Sequence, residues 1–198
     1  MKRFAISLTL VLTFLLPALA SAATSTWVID ADHSSIQFKV KHLMVSNVKG
    51  EFKKFSGALT IDDADITRSK VDVTIDATSI DTGNAKRDEH LRSPDFLDVA
   101  KNPTLKFVST KVAKTGDGTL KVTGTLMLHG VSREVVLDVE GPTSAIKDPW
   151  GNTKRGASAT TKINRKDFGL TWNKALETGG VVVGDEVAIT LEVELLKK

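Results

Sequence analysis

The sequence predicts an all-β protein, an antiparallel barrel or sandwich of about eight strands. Roughly eight or nine segments alternate apolar and polar residues, as half-buried strands do. Turn residues, and not helices, join most of these segments. Only one stretch, near residues 84–92, has a helical pattern, and it is too short to cover a sheet. Strands must therefore cover strands, and parallel α/β folds are excluded.

The N-terminus is predicted to be a signal peptide. Two basic residues precede an apolar run from Phe4 to Leu16, and Ala20-Ser21-Ala22 forms an A-x-A cleavage site. The apolar run is shorter than the ~20 residues that a membrane-spanning helix needs, and no second run follows. We expect cleavage after Ala22, so that residues 1–22 are the signal peptide and residues 23–198 form one domain.

Composition limits the partners and the compartment. Without the two basic residues of the leader, the formal net charge falls from +3 to about +1, so nucleic acid is not an expected partner. The chain contains no cysteine, which excludes disulfides, thiolate metal ligands and a cysteine nucleophile. A secreted chain without disulfides suits the bacterial periplasm, which is the location we predict, with no transmembrane segment after cleavage.

The first clear strand is Ser34–His42, which follows an ordered start at Trp27–Asp30. Ile36, Phe38 and Val40 share one face, while lysines and a glutamine occupy the other. Such an apolar face must be covered by a sheet, by a helix, or by a small molecule held inside a closed barrel. The third possibility makes this strand a candidate wall of a ligand site.

Three shorter strands follow in the first half. Val48–Phe52 and Gly57–Ile61 contain glycines, and we interpret Gly50 and Gly57 as bends or bulges. Ser69–Ala77 alternates cleanly, so one of its faces must meet water. Its apolar face is formed by Val71, Val73 and Ile75.

A short helix is predicted next, over Asn84–Arg92. Asn84 is a suitable N-cap, good helix formers follow, and Ser93-Pro94 ends the helix. The helix is strongly charged and can cover only one end of a sheet structure.

The second half supplies the remaining strands. Gly116-Asp117-Gly118 and His129-Gly130 are predicted as turns between them, and a loop rich in proline and glycine follows Glu140. Val187–Leu195 has the most regular alternation in the chain. The apolar positions of the other strands are Leu105, Phe107, Val122, Leu126, Leu128, Val135, Leu137, Val139, Ala157, Ala159 and Ile163.

Catalytic and metal motifs are missing from the sequence. There is no G-x-S-x-G elbow and no H-E-x-x-H, and the four histidines, His33, His42, His90 and His129, lie far apart. We interpret each histidine as structural, although His42 continues the inward phase of its strand and could place a polar group at the rim of an apolar interior.

The charged residues of the predicted helix, and Arg165 with Asp167, are interpreted first as ion pairs and caps that stabilise the fold. The alternative is that they hold the head group of a ligand.

Five runs of the sequence resemble the YceI-like family: WVIDADHSSIQFKVKH (27–42), GEFKKFSG (50–57), SIDTGNAKRDEHLRSPDF (79–96), GTLMLHGV (124–131) and INRKDFG (163–169). They occur in the expected order and cover essentially all of the chain after the leader. The resemblance implies a secreted or periplasmic protein with an extended lipocalin-like antiparallel barrel. Its elongated apolar interior would hold a polyisoprenoid, an isoprenoid-quinone-like lipid or a similar amphiphile, with no other cofactor.

The resemblance turns the inward positions into a candidate ligand site, with no catalytic and no metal residues. The bulky residues near its bends and mouth are Phe52, Phe55, Phe96 and Phe168, with His42 at the rim. The predicted wall is Ile36, Phe38, Val40, Val71, Val73, Ile75, Phe107, Val122, Leu126, Leu128, Val135 and Leu137.

Periodicity alone leaves other possibilities open. The same residues could fill a solid core, or the protein could be an enzyme that acts on a lipophilic compound through His33 or His42 and a nearby aspartate. Transient membrane contact and a homodimer also stay open.

Overall fold

The computed structural model describes residues 24–177 and 179–198. The predicted signal peptide, residues 1–22, and the predicted new N-terminus at Ala23 lie outside the described residues. The described chain has one α-helix, α1 (Ala85–Arg92), and short 3-10 helices at Ala31–His33, Ile66–Arg68, Ala77–Ser79 and Arg165–Phe168. The strands are β1 (Thr24–Ile29), β2 (Ser35–His42), β3 (Ser46–Phe52), β4 (Phe55–Asp62), β5 (Lys70–Asp76), β6 (Ile80–Asp81), β7 (Thr104–Gly116), β8 (Thr119–Leu128), β9 (Val131–Glu140), β10 (Ile146–Lys147), β11 (Thr153–Asn164) and β12 (Val183–Lys197).

Eight of these strands close an antiparallel barrel. In order around the wall they are β12, β11, β9, β8, β7, β5, β4 and β1, and β1 pairs again with β12. This confirms the predicted all-β barrel of about eight strands with one short helix. Closure satisfies the backbone groups that an open sheet would leave at its edges.

The long strand β12 pairs with two different strands along one edge. Residues 195–197 pair with β1, whereas residues 183–192 pair with β2. Strand β2 then pairs with β3, and the last residues of β3 pair with β6. The β2–β3 hairpin therefore extends the wall at the end of the barrel where β12 begins.

Helix α1 forms as its sequence predicts. The Asn84 side chain accepts a hydrogen bond from the Arg87 backbone N–H at 3.1 Å, and the helix ends at Arg92, directly before Ser93. Its charged side chains tie it to β6 and the residues beside it: Asp88 accepts from the Thr82 backbone N–H at 2.9 Å. Two arginines of the helix donate to backbone carbonyls of residues 78, 80 and 82, which supports the fold-stabilising interpretation.

Packed side chains fill both ends of the barrel. Where β12 ends, Trp27, Ile61 and Leu195 form a cluster, and the Arg155 guanidinium lies 5.0 Å from the Trp27 ring. Where β12 begins, the cluster contains Phe96 and Leu97 after α1, and Phe168 and Leu170 after β11, with Trp172 packed against it. The middle of the barrel therefore lies between two apolar plugs.

The interpretation of Gly50 and Gly57 as bulges is wrong, because the pairing register runs without a shift through both residues. These glycines instead make room for neighbouring side chains. A Cβ atom on Gly50 would lie 2.4 Å from the Phe38 ring, and one on Gly57 would lie 2.7 Å from Ile29 Cδ1. Register shifts occur elsewhere, twice between β7 and β8 and once between β12 and β2.

Candidate ligand-binding cavity

The barrel encloses a cavity of about 320 Å³. Its wall includes inward side chains from all eight barrel strands, residues of β2, β3, β6 and α1, and residues after α1 and after β11. All but six of the lining residues are apolar. Such a space suits a hydrocarbon chain and offers little to a charged or strongly polar solute.

Most of the predicted site residues lie on this wall. The lining includes Ile36, Phe38, Val40, Phe52, Val71, Val73, Ile75, Phe96, Phe107, Val122, Leu126, Leu128, Val135 and Leu137. Strand alternation was enough to find twelve of them, because in a closed barrel every second residue of a strand must point inward. Phe52 and Phe96 were instead selected as bulky residues near the bends and mouth. That they contact a ligand stays a prediction.

The other three predicted residues lie outside the lining. His42 is half-buried at the end of β2, opposite Val183. Phe55 packs on the apolar cluster at that end of the barrel, and Phe168 is buried within the cluster, at 2 % exposure. Phe55 and Phe168 therefore belong to the packed cluster that closes the end of the barrel where β12 begins, and not to the cavity wall.

The sequence-based site omitted much of the wall. The alternation on β12 and the small-residue face of β11 were both recognised as strand patterns, but neither was assigned to the cavity. If the apolar positions of every alternating strand had been assigned to the cavity wall, these two strands would have been included. The lining residues omitted from these two strands are Ala157, Ser158, Ala159, Thr161, Ile163, Val183, Val187, Ile189, Leu191, Val193 and Leu195.

Inward side chains in the middle of the barrel keep accessible surface. Val71 and Val73 on β5, Leu126 on β8, Leu137 on β9 and Leu191 on β12 are only half-buried, although all five line the interior. In a solid core, side chains at such positions would be fully buried at close-packed density. Their remaining surface faces the cavity, so the interior is hollow between its two plugs.

Arg165 is the charged residue buried deepest in the lining, at 3 % exposure. Its Nε donates to the Gly184 carbonyl at 2.9 Å, and Nη1 donates to the carbonyls of Leu170 and Trp172. Nη2 reaches Asp185 and a further carbonyl, each at 3.4 Å. Burial lowers the pKa of Arg165, and Asp185 opposes that shift. Because all five N–H donors have partners, this residue ties the chain together and is not free to hold a head group.

A compact charged cluster lies outside the cavity, between β1, β11 and β12. The carboxylates of Asp30 and Glu194 and the His33 ring lie within 4.8 Å of one another, a spacing that could hold a cation. The ammonium group of Lys154 already lies between these carboxylates, 2.5 Å from Glu194 and 3.4 Å from Asp30. Burial acts to raise the pKa of Asp30, but hydrogen bonds from His33 and Lys154 lower it overall. The hydrogen bond to Glu194 raises the pKa of Lys154.

The histidines occupy separate places in the fold. His33 Nδ1 lies 2.9 Å from Asp30, His90 Nε2 lies 2.8 Å from Asp95, and His129 Nδ1 lies 3.2 Å from a backbone carbonyl. The lining of the cavity includes none of the four histidines, all of which are described by the structure. His33, His90 and His129 therefore have the carboxylate or carbonyl partners that a structural role requires.

Across residues 24–177 and 179–198, no helix has the length and apolar character needed to span a bilayer.

Comparisons with known proteins agree with the fold. Residues 27–195 match the family model described as the YceI-like domain. A UPF0312 protein of Vibrio cholerae is 42% identical over 172 residues, which cover 86% of this chain and 89% of that protein.

Three solved structures have the same fold. BcnA of Burkholderia cenocepacia superposes with a TM-score of 0.72 at 25% identity, covering 84% of this chain and 98% of that one. The YCEI protein of Campylobacter jejuni gives 0.68 at 38% identity, covering 81% and 91%. A polyisoprenoid binding domain from Saccharophagus degradans, implicated in plant cell wall breakdown, gives 0.62 at 17% identity, covering 87% and 98%. At that identity the last likeness concerns the fold alone.

Proposed function

The chain belongs to the YceI-like family, and we propose that it binds a long-chain isoprenoid or a similar amphiphilic lipid in the barrel cavity. The observation that carries this proposal is the hollow interior. Inward side chains such as Val73 and Leu191 keep their accessible surface around an apolar space of about 320 Å³. A void of this kind is unfavourable when empty, and it is matched chemically by a hydrocarbon tail.

The chemistry of the wall favours a long tail with a small polar end. Each buried methylene contributes roughly 0.8 kcal/mol of transfer free energy, although ordering a flexible tail offsets much of this sum. The Saccharophagus degradans domain, described as polyisoprenoid binding, supports the isoprenoid class through its shared fold. We therefore expect a polyisoprenoid or an isoprenoid-quinone-like lipid, with no other cofactor.

We propose a carrier, storage or sequestering role in the periplasm. The signal-peptide pattern of residues 1–22 supports this location, and a closed barrel can shield a water-insoluble tail between membranes. A homodimer stays an open alternative.

An enzyme is the less favoured alternative. The His33 and Asp30 side chains do meet, as such an enzyme would require, but neither residue belongs to the cavity lining. A tail held inside the barrel would therefore not reach this pair. We expect His33→Ala and His42→Ala to leave a bound amphiphile chemically unchanged, and turnover that either substitution abolishes, with folding intact, would restore the enzyme hypothesis.

The decisive experiment is mass spectrometry of an organic extract of the purified protein, followed by titration of the delipidated protein with polyprenyl lipids. We expect a long-chain isoprenoid in the extract and saturable binding in the titration. An extract of short, water-soluble compounds together with no polyprenyl binding would contradict the proposal.

A further inference from the structure

The tip of the β2–β3 hairpin exposes three consecutive large apolar side chains. Leu43 is 38% exposed, Met44 is 54% exposed and Val45 is 80% exposed. Hydrogen bonds hold the turn in place: the Leu43 N–H donates to the Val182 carbonyl at 2.8 Å, and the Val45 N–H donates to the His42 carbonyl at 3.1 Å. An ordered turn therefore presents these apolar side chains to the surroundings.

The backbone of this tip is strained. Leu43 and Met44 have φ angles of 52° and 62°, in the left-handed region that bulky residues rarely adopt. A hairpin turn with two successive left-handed residues favours Asn-Gly or a similar pair. Neither the turn geometry nor contact with water explains leucine and methionine at these positions, so their apolar side chains need another explanation.

The shaft of the hairpin is basic. Lys39, Lys41 and Lys49 are all exposed, and the segment 39–50 contains no acidic residue. Lys39 lies directly opposite Lys49 in the β2–β3 register, an arrangement that places like charges side by side. None of the three lysines forms an ion pair with any part of the chain that the structure describes. We call Lys39, Lys41 and Lys49 the basic collar of the hairpin. The hairpin therefore combines an apolar tip with a basic collar that has no ion-pair partners.

The hairpin is continuous with the cavity wall. Val40 on β2 and Val183 on β12 both line the cavity, and Val183 pairs with His42, the last residue before the tip. At about 3.3 Å per strand residue, the tip begins about 10 Å beyond Val40. A surface that contacts the tip would lie close to the end of the cavity at which β12 begins.

From these observations we infer that the Leu43–Val45 tip docks the protein on an anionic lipid bilayer. The apolar side chains enter the interfacial region of the bilayer, and the three lysines contact anionic head groups around them. The inference rests on the proposed function, because it gives the lipid cavity a place to exchange its ligand. It identifies the bilayer as the partner and this hairpin as the contact surface.

A second exposed apolar site allows a matched control. Trp150 is 82% exposed and Ile146 is 62% exposed, in the segment that leads into β11. The Asp148 carboxylate organises that turn by accepting the backbone N–H of Trp150 at 2.9 Å. Burial acts to raise the pKa of Asp148, but its hydrogen bonds, above all the one from Asn152, lower that pKa overall. The turn also lies at the opposite end of β11 from the hairpin, since Lys154 pairs with Leu196. Among the basic residues in and beside this turn, Lys154 and Arg155 are held in ion pairs, which leaves Lys147 as the one described lysine there without an ion pair, against three on the hairpin. We therefore do not expect this turn to dock.

Flotation with vesicles tests the inference. The protein is the chain from residue 24 onward, which carries every strand and helix described above, so that the apolar N-terminal run cannot bind lipid itself. The vesicles contain phosphatidylcholine alone, or phosphatidylcholine and phosphatidylglycerol in equal amounts. We expect binding to the anionic vesicles that weakens as salt increases. Leu43→Asn with Met44→Gly should weaken it by about tenfold or more while thermal stability is kept or raised, because the turn strain is relieved.

Further variants separate the contributions of tip, collar and fold. Val45→Ser removes the most exposed apolar side chain without touching a left-handed residue, and should also weaken binding. Glutamine at Lys39, Lys41 and Lys49 should weaken binding to the anionic vesicles by about fivefold per lysine. Trp150→Ala should bind as the unchanged chain does.

Several results would overturn the inference: no binding of the unchanged chain to anionic vesicles, full binding by both tip variants, or loss of binding in Trp150→Ala alone. A dimer that Val45→Ser dissociates, without any vesicle binding, would assign the tip to a second copy of the chain. Solution titration with polyprenyl lipid keeps the two proposals apart. Tip variants should bind that lipid normally, so failure of docking leaves cavity binding standing, and failure of cavity binding leaves docking to be measured by flotation.

Discussion

Val73→Trp distinguishes a hollow interior from a packed one. Val73 lies in the middle of β5, opposite Gly57 on β4 and Phe107 on β7, and its side chain lines the cavity. Gly57 has no side chain, and Ile29 Cδ1 and a methyl group of Val73 already occupy the place where its Cβ atom would lie. A larger side chain at position 73 must therefore extend into the space that we assign to the ligand.

The sign of the stability change follows from the volume. If the indole removes about a quarter of the 320 Å³ cavity, the gain at about 24 cal/mol per Å³ is about 2 kcal/mol. Strained rotamers would reduce this gain by about 1 kcal/mol. In a packed interior the same substitution would cost roughly 1 to 3 kcal/mol or more. For a chain of this size each kcal/mol shifts Tm by about 2 to 4 °C, so the two outcomes are separable.

The assay compares thermal unfolding and polyprenyl lipid binding of delipidated Val73→Trp with those of the unchanged chain. Delipidation matters because a ligand that binds only the folded state adds stability by mass action. Val108→Trp is the matched control, since Val108 is an exposed residue next to Phe107 on the outer face of β7. We expect Val73→Trp to keep or gain stability and to lose most lipid binding, whereas Val108→Trp keeps its lipid binding. Strong destabilisation of Val73→Trp with unchanged lipid binding would refute the hollow barrel.

Three further predictions concern the fold and its export. Gly124→Ala should destabilise the protein by roughly 1 to 3 kcal/mol in urea unfolding, because its Cβ would lie 2.6 Å from a backbone carbonyl oxygen; Gly156→Ala, whose Cβ would meet nothing closer than 3.9 Å, should be tolerated. The lowered pKa of Asp30 contributes stability that is present above about pH 4 and is lost as pH falls through the folded-state value. Lys154→Met removes one cause of that shift, so acid unfolding followed by circular dichroism should begin at higher pH than in the unchanged chain. N-terminal sequencing of exported protein should begin at Ala23, and an intact Met1 on cytosolic material would contradict export.

Most of the fold could be predicted because its elements are specified locally. The alternation in Ser35–His42 and Val183–Lys197, and the Asn84 cap of α1, depend on residues that are close in sequence. The two-residue strands β6 and β10 could not be predicted, because two residues cannot show a period of two. The sequence also could not predict that β12 pairs with both β1 and β2 along one edge, because strand pairing depends on contacts between residues that are distant in sequence.

The sequence could predict which residues of a strand face inward, but not which inward residues line the cavity. Alternation places Val73 and Leu126 inside a barrel, yet it cannot separate a wall residue from a plug residue, because both are apolar and inward. Phe168 illustrates this limit: its cluster includes Phe96 and Leu97 of the segment after α1, which is distant in sequence. Likewise, nothing near Gly50 in the sequence shows that the Phe38 ring takes the place of its side chain.

The hollow interior also has a thermodynamic consequence for the fold as a whole. At about 24 cal/mol per Å³, an empty space of 320 Å³ corresponds to about 8 kcal/mol of stabilisation that a filled core would supply. That amount is comparable to the whole stability of an ordinary domain, about 5 to 15 kcal/mol. The chain must therefore rely on its closed hydrogen-bonded barrel and on the two packed ends around Trp27 and Phe168. A tail that occupies the space supplies the missing contacts. A ligand that binds only the folded state raises the free energy of unfolding by about 2.7 kcal/mol when its free concentration is one hundred times its Kd. Ligand occupancy and folding stability are thus coupled in this barrel, because the same inward side chains determine both.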